Sequence, residues 1–198
     1  VPGDPVPTDE LLNRWVEYGA FTGVMRNEAD GIHLGVTLPH LTDPDVAPIW
    51  KRYTRLRTML YPYVAGSQDA YQQHGMPLMR HLALVDPKDP VAVATDDEYL
   101  FGQDLLVAPV TKPGRDSQQV YLPRGGWLEL ARTWDLADDG TFSLGKAKVL
   151  RGGRTVTATA PIDVIPLDLR AGAVVPMLPN TVDTLSSYGD DVEHLSDH

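Results

Sequence analysis

A short apolar run without alternation, at residues 20–25, constrains what this 198-residue chain can fold into more than any other segment. Such a run is typical of a strand that is buried on both faces of a parallel sheet. Helical patterns flank it at residues 8–19 and 45–74, and this order is that of a parallel β/α unit. Because one strand cannot make a sheet, we expect its neighbours to come from polypeptide other than these 198 residues.

The first helix is predicted over residues 8–19. Thr8 is a good N-cap, and the acids Asp9 and Glu10 suit the positive end of the helix dipole. Apolar residues at a four-residue spacing predict one buried face, made up of Leu11, Leu12, Trp15, Val16 and Gly19. We expect Gly19 to end the helix.

The second helical pattern, residues 45–74, has its own apolar stripe. Its members follow the 3.6-residue period and are Trp50, Tyr53, Leu56, Leu60 and Tyr63. Pro62 should kink this helix or split it in two, because proline lacks the N–H that the ladder needs. We expect the aromatic residues here to form core rather than a platform for stacking sugars.

From about residue 91 the pattern changes to short β-rich runs separated by turn clusters. The predicted strands are 104–111, 118–123, 126–131, 154–160, 163–167 and 173–178. Alternation is clearest in the run from Thr155 to Thr159, where one face can be buried and the other solvated. Several short strands with frequent turns favour an antiparallel β-sandwich.

The charge balance excludes some classes of partner. Asp and Glu number 27 against 17 Lys and Arg, which gives a formal net charge of −10. A protein that binds the nucleic-acid backbone needs a basic face, so no nucleic acid is expected. No apolar run approaches the ~18 residues of a membrane span, so no membrane is expected either. The sequence has no cysteine, which excludes disulfides and leaves the compartment open.

Three charged residues follow the apolar run directly: Arg26, Glu28 and Asp30. In a β/α barrel, groups at the carboxyl ends of the strands face the substrate, so Arg26 is expected at the mouth of a site. A salt-bridged loop is the other interpretation that the spacing leaves open. The two acids do not suit a retaining glycosidase pair, which lies about 5–5.5 Å apart across the scissile bond.

No metal site or cofactor site is predicted. The histidines at positions 33 and 40, and those at 74 and 81, are seven residues apart rather than at the i, i+4 spacing of a helical metal pair. No phosphate-binding glycine motif and no nucleophile elbow are found.

Four segments together resemble glycoside hydrolase family 31, the family of α-glucosidases and α-xylosidases. Residues 14–26 read RWVEYGAFTGVMR and resemble the family's R-W-x-Q-x-G-A-F-x-P-F-x-R-x-H stretch near the end of the catalytic barrel. Residues 56–63 are similar to its L-R-Y-x-L-x-P-Y helix, with Thr58 in place of tyrosine. Residues 99–110 are similar to F-x-x-G-x-x-L-L-V-A-P-V, and residues 160–172 to A-P-x-x-x-I-P-x-x-x-R-x-G.

The resemblance implies a fold that explains the lone strand. The implied fold class is mixed α and β, and it consists of the last β/α segment of a (β/α)8 barrel followed by an antiparallel β-sandwich. Residues 1–90 would be the C-terminal segment of the catalytic barrel, 91–180 the proximal C-terminal β-sandwich, and 181–198 a linker toward a distal domain. The run at 20–25 would be the eighth strand of the barrel.

The resemblance also implies a retaining reaction with two aspartates, one attacking the anomeric carbon and one protonating the leaving oxygen. Neither aspartate's motif is found in these 198 residues, so no catalytic residue is assigned and the chain alone is expected to be inactive. Substrate binding falls to Arg26 and to Glu28, which takes the place of a sugar-binding histidine. A carboxylate accepts hydrogen bonds from sugar hydroxyls but cannot donate as imidazole does, which indicates an altered substrate preference.

The expected partners are an α-glycoside or oligosaccharide and the remaining part of the catalytic barrel, in the same or a separate chain. Two other hypotheses stay open. In the first, the chain is a non-catalytic carbohydrate-binding or scaffold module built on the sandwich. In the second, it is a subunit complemented by a separate barrel chain.

Overall fold

The computed structural model describes residues 7–27, 38–131, 134–137, 141–146, 148–182 and 184–185. Within them the helices are α1 Asp9–Ala20, α2 Ala47–Met59, α3 Tyr61–His74, α4 Leu82–Val85 and α5 Pro90–Ala94. The strands are β1 Met79–His81, β2 Tyr99–Phe101, β3 Leu105–Val107, β4 Ser117–Leu122, β5 Gly126–Glu129, β6 Trp134–Leu136, β7 Phe142–Leu144, β8 Val149–Arg151, β9 Arg154–Thr159 and β10 Leu167–Arg170.

Six of these strands form one antiparallel sheet in the order β1-β2-β3-β10-β5-β8. Strands β4 and β9 pair antiparallel over their full length, with Val120 opposite Val156. A third, two-stranded sheet joins β6 to β7. The connection from β3 to β10 brings residues far apart in sequence side by side, so the sheet depends on long-range contacts.

The six-stranded sheet separates two apolar cores because successive side chains point to opposite faces. Phe101 and Leu105 pack with the helices in one core. Leu100 and Leu106 pack in the other core with Val120, on the β4–β9 pair. The described residues thus form three layers, helices on sheet on sheet, which confirms the mixed α and β class with an antiparallel sandwich.

Helices α1 to α3 form for the reasons read from the sequence. The Thr8 hydroxyl caps α1 by accepting the Leu11 N–H at 3.2 Å, although the helix runs one residue past Gly19. The long helical pattern is split at Leu60, two residues before Pro62. None of the helices in the described part of the chain is long and apolar enough to cross a bilayer.

The buried face predicted for α1 is wrong in part. Val16 is buried, but Leu11 and Trp15 are 47% and 60% exposed. The buried face instead carries polar groups, among them Arg14, which binds carbonyls of the sandwich, and its partner Glu17. Leu11 and Trp15 line an open cleft instead.

Strands β3, β4, β5 and β9 lie where runs 104–111, 118–123, 126–131 and 154–160 predict them. The strands predicted at 163–167 and 173–178 are wrong. Pro161 precedes the first segment and Pro166 lies within it; both lack the N–H that a strand ladder needs, and β10 begins only at Leu167. The second segment instead bonds to the end of α2, where Leu178 N–H donates to the Met59 carbonyl at 2.8 Å.

Candidate functional site and family

Arg26 lies on the segment that follows α1 and is exposed. It lines a hollow of about 260 Å³, and Trp15 and Trp50 are among the other residues of its wall. Glu28 and Asp30 lie outside the described residues. Of the predicted site residues, the structure therefore places Arg26 alone, beside two tryptophans that the sequence did not connect with it.

The strand predicted for residues 20–25 is not formed. Ala20 is the last residue of α1, and residues 21–25 pair with no strand among the residues described. Phe21 is fully buried while Val24 is 79% exposed, so the segment is not covered on both faces. A strand exists only through ladder hydrogen bonds to a neighbour, and here side chains bind the carbonyls instead.

Two side chains from other elements hold the backbone of residues 20–23. The guanidinium of Arg57, on α2, donates to three carbonyls, those of Ala20 at 3.2 Å, Thr22, and Gly23 at 3.1 Å. The hydroxyl of Tyr99, on β2, donates to the Phe21 carbonyl at 2.9 Å. Burial lowers the pKa of Arg57 and raises that of Tyr99, so the phenol keeps the proton that it donates.

Arg14 joins α1 to the sandwich. Its guanidinium donates to four backbone carbonyls, those of Arg115 at 3.0 Å, Ala160 at 2.8 Å, Pro161 at 3.0 Å and Val164 at 3.3 Å. It also forms a buried ion pair with Glu17 at 3.0 Å. The arginine that opens the R-W motif is thus a structural group, which spacing alone did not reveal.

Glu17 is 1% exposed, and burial raises the pKa of its carboxyl to about 8, against the opposing effect of Arg14. Its Oε1 is buried without a hydrogen-bond partner. This glutamate lies beside Arg14, where α1 meets the sandwich, and does not line the hollow that Arg26 lines. Its shifted pKa therefore follows from its structural position between α1 and the sandwich.

Helix α2 also binds this loop of the sandwich. Arg52 pairs with the Asp163 carboxylate at 3.1 Å. The Tyr53 hydroxyl donates to the Asp163 carbonyl at 3.1 Å and accepts the Ile165 N–H at 3.2 Å. Loop 160–166 is therefore held by both helices, and this explains why proline-rich sequence there is not a strand.

A larger cleft of about 790 Å³ opens between the outer side of α1 and the sandwich. Its walls include Trp15, Tyr18 and Tyr99, whose rings meet edge to face in two successive pairs at 5.8 and 6.2 Å. Asp96 and Asp97 lie at its border. The exposed surface of its walls is mainly apolar, although Glu10, His81 and Glu98 also line it.

Further groups with shifted pKa values lie in the sandwich. Burial raises the pKa of Glu98 to about 8 and that of Asp168 to about 7. Both oxygens of Glu98 accept the Tyr121 N–H, at 3.0 and 3.1 Å, which is a structural role. Among the described residues, no group of three His, Cys, Asp or Glu side chains is arranged to hold a metal ion.

Two family models match the chain, one after the other. The model of the Glycosyl hydrolases family 31 TIM-barrel domain matches residues 3–66, and that of the Glycosyl hydrolase family 31 C-terminal domain matches residues 75–175. The chain belongs to glycoside hydrolase family 31. Its architecture is accordingly the end of the family 31 barrel followed by the family's C-terminal β-domain.

Relatives in family 31 support the assignment over most of the chain. The isomaltosyltransferase of Sporosarcina globispora is 32% identical over 180 residues, which are 86% of this chain and 15% of that protein. The lysosomal α-glucosidase of Rattus norvegicus is 31% identical over 91% of this chain and 19% of its own length. The chain therefore spans less than a fifth of the length of these two relatives.

Solved family 31 structures share the fold described above. The cycloalternan-forming enzyme from Listeria monocytogenes, in complex with a pentasaccharide substrate, superposes with a TM-score of 0.74 at 28% identity. The match covers 88% of this chain and 16% of that one. Arg26 lies in the part that matches the family 31 barrel, and the carbonyls that Arg14 binds lie in the part that matches the C-terminal domain.

Proposed function

We propose that this chain is the C-terminal portion of a retaining α-glycosidase that hydrolyses or transfers α-linked glucosyl-type residues. It supplies part of the sugar pocket, through Arg26 and Glu28, and neither catalytic aspartate. The observation that carries the proposal is the position of Arg26: it follows α1, lies within the residues that match the barrel model, and lines a hollow whose wall includes Trp50. Arg26 is suited to sugar hydroxyls because a guanidinium offers several directed donors.

The proposed domains follow one another along the chain. Residues 1–90 are the C-terminal segment of the catalytic barrel, 91–180 the proximal β-sandwich and 181–198 a linker toward a distal domain. The partners are an α-glycoside or oligosaccharide and the remaining part of the barrel, in the same or a separate chain. The apolar stripe of α1, exposed at Leu11 and Trp15, supports a further polypeptide beside it.

In the parent enzyme one aspartate would attack the anomeric carbon and the other would protonate the leaving oxygen and then activate water or a second sugar. Both lie outside this chain, so the 198 residues alone have no glycosidase activity. Arg26 then contributes binding in the ground state and the transition state alike. Such a contribution changes KM more than kcat.

The test compares the parent enzyme with this chain on an aryl α-glucoside. We expect turnover by the parent enzyme and none by the isolated 198-residue chain. In the parent enzyme, Arg26→Ala should raise KM about tenfold or more, because it removes about one charged hydrogen bond to the substrate. Arg154→Ala is the matched control, because that exposed arginine on β9 donates to the Arg151 carbonyl far from the hollow. Turnover by the isolated chain, or an unchanged KM in Arg26→Ala, contradicts the proposal.

Calorimetry of the isolated chain with isomaltose separates this proposal from a carbohydrate-binding module. A pocket wall without the rest of its barrel should show no saturable heat. Tight binding by the chain alone, unchanged by Arg26→Ala, supports the module instead.

We further propose that Glu28 alters the substrate preference. As a carboxylate it accepts hydrogen bonds from sugar hydroxyls or faces a cationic group on the sugar. In the parent enzyme, Glu28→His should shift kcat/KM toward neutral glucosides relative to an aminated one. An unchanged ratio excludes this role.

A further inference from the structure

Side-chain donors lie within hydrogen-bond distance of six consecutive carbonyls, those of residues 19–24, from the last turn of α1 to just before Arg26. Arg57 and Tyr99 bind those of residues 20–23, as described above. The Thr22 hydroxyl lies 2.9 Å from the Gly19 carbonyl and 2.7 Å from that of Val24, and donates to one of them at a time. Arg57 and Tyr99 thus hold the backbone that leads to Arg26 from other elements of the fold, and neither of them lines the hollow.

The donors connect this backbone to both parts of the chain. Arg57 comes from α2, and its guanidinium carbon lies 6.0 Å from the ring centre of Phe101 on β2. Phe21 packs edge to face on the same ring, with centroids 6.0 Å apart. Tyr99, two residues before Phe101, completes the set. Strand β2 of the sandwich therefore holds both the segment before Arg26 and the arginine that binds it.

We propose that Arg57 is a positioning residue for substrate binding, which sets the direction of the segment carrying Arg26, with Tyr99 as its partner from the sandwich. This inference rests on the role of Arg26 proposed above. It gives the sandwich a part in the function, because β2 fixes the wall of the sugar pocket without contacting the sugar.

The shape of the guanidinium is what this role requires. Arg57 uses both terminal nitrogens of its planar guanidinium, Nη1 for the Ala20 and Thr22 carbonyls and Nη2 for that of Gly23. A lysine keeps the charge but presents one nitrogen on a flexible stem, so it holds the segment at one point. If Arg57 only balanced charge, a lysine at this position could replace it. A lysine cannot replace it if Arg57 positions the segment.

The experiment measures KM and kcat of Arg57→Lys and Tyr99→Phe in the full-length parent enzyme. We expect KM to rise about tenfold in Arg57→Lys and about threefold in Tyr99→Phe, with kcat within about twofold, as for the loss of uniform binding. Arg55→Lys is the matched control: it lies on the same helix, and its guanidinium donates to the Asn180 carbonyl at 3.1 Å. Its KM should stay within about twofold.

Hydrogen–deuterium exchange of the 198-residue chain supplies a readout independent of activity. Peptides covering residues 19–27 should exchange at least about threefold faster in Arg57→Lys than in Arg55→Lys, with peptides of β4 and β9 unchanged. Equal exchange in both variants, or an unchanged KM in Arg57→Lys where Arg26→Ala raises KM, overturns the positioning role alone. An unchanged KM in Arg26→Ala overturns the proposed function instead.

Discussion

The hydroxyl of Tyr63 occupies the space that a side chain on Gly102 would need: a Cβ built on Gly102 falls 2.3 Å from the Tyr63 oxygen. That hydroxyl donates to the Phe101 carbonyl at 2.8 Å and accepts the Asp104 N–H at 3.1 Å, so it cannot easily move away. Gly102 also has φ of +67°, in the left-handed region. Two separate constraints therefore require glycine here, and through them α3 is joined to the turn between β2 and β3.

The first prediction is that Gly102→Ala lowers the free energy of unfolding by about 2–4 kcal/mol. About 1 kcal/mol comes from the left-handed backbone and the rest from displacing the Tyr63 ring and its two hydrogen bonds. Urea denaturation of the 198-residue chain, followed by fluorescence, measures the difference.

Gly114→Ala is the control for that measurement. Gly114 has nearly the same φ, +68°, but nothing lies within 4 Å of a Cβ built on it. It should therefore cost only the backbone contribution, about 1 kcal/mol. Equal losses in the two variants would show that the contact with Tyr63 carries no energy.

The second prediction concerns the buried Arg14. Arg14→Met removes the donor from four carbonyls and leaves Glu17 buried without its cation. Breaking a buried pair by removing one partner costs about 3–5 kcal/mol, and we expect a loss in that range at pH 8. Thermal or urea unfolding by circular dichroism measures it.

The double variant Arg14→Met with Glu17→Gln tests the cause. Removing Arg14 raises the pKa of Glu17 further, so at pH 8 the buried carboxyl takes up a proton in the folded state. If this is the main cost, the second substitution should recover about 1–2 kcal/mol. Arg154→Met serves as the surface control and should change stability by less than about 0.5 kcal/mol. If Arg14→Met lowers the free energy of unfolding as little as that control does, Arg14 does not stabilise the contact between α1 and the sandwich.

Local rules predicted those elements whose residues cap or break the chain by themselves. Thr8 and Pro62 act through their own backbone groups, so the beginning of α1 and the division between α2 and α3 were readable. The longer strands β4 and β9 were also readable, because six residues are enough for a pattern. By contrast β1, β2 and β8 have three residues each, too few to show an alternation.

The site was less readable because its geometry comes from distant residues. Residues 20–25 have the composition of a buried strand, but a strand requires neighbours, and Arg57 and Tyr99 take its carbonyls here. Likewise Leu11 and Trp15 have the right spacing for a buried face, yet both are exposed in the part of the chain that the structure describes. The family motifs indicated which segments belong to the barrel and which to the sandwich. The contacts between these segments, such as Arg14 with loop 160–166, are visible only in the three-dimensional structure.

The third prediction uses Asp168, on β10, where Glu129 of β5 stands directly opposite. Asp168 is 3% exposed, and its Oδ1 is buried without a partner. Burial, and secondarily the charge of Glu129, raises the pKa of Asp168 from its ordinary 3.8 to about 7. Between these values the folded state holds a proton that the unfolded state releases, so this group's stabilising contribution is complete below pH 4 and is lost as pH rises through 7.

We therefore expect Asp168→Asn to flatten the fall in unfolding free energy between pH 4 and 7, by about 2–4 kcal/mol across that window, because asparagine has no proton to lose. Urea unfolding at half-unit pH steps measures the slope. Asp69→Asn, which removes an exposed carboxylate from α3, should leave the slope unchanged. If Asp168→Asn and the unsubstituted chain lose stability in parallel, Asp168 is ionised in the folded state and its burial is compensated by a cation or water.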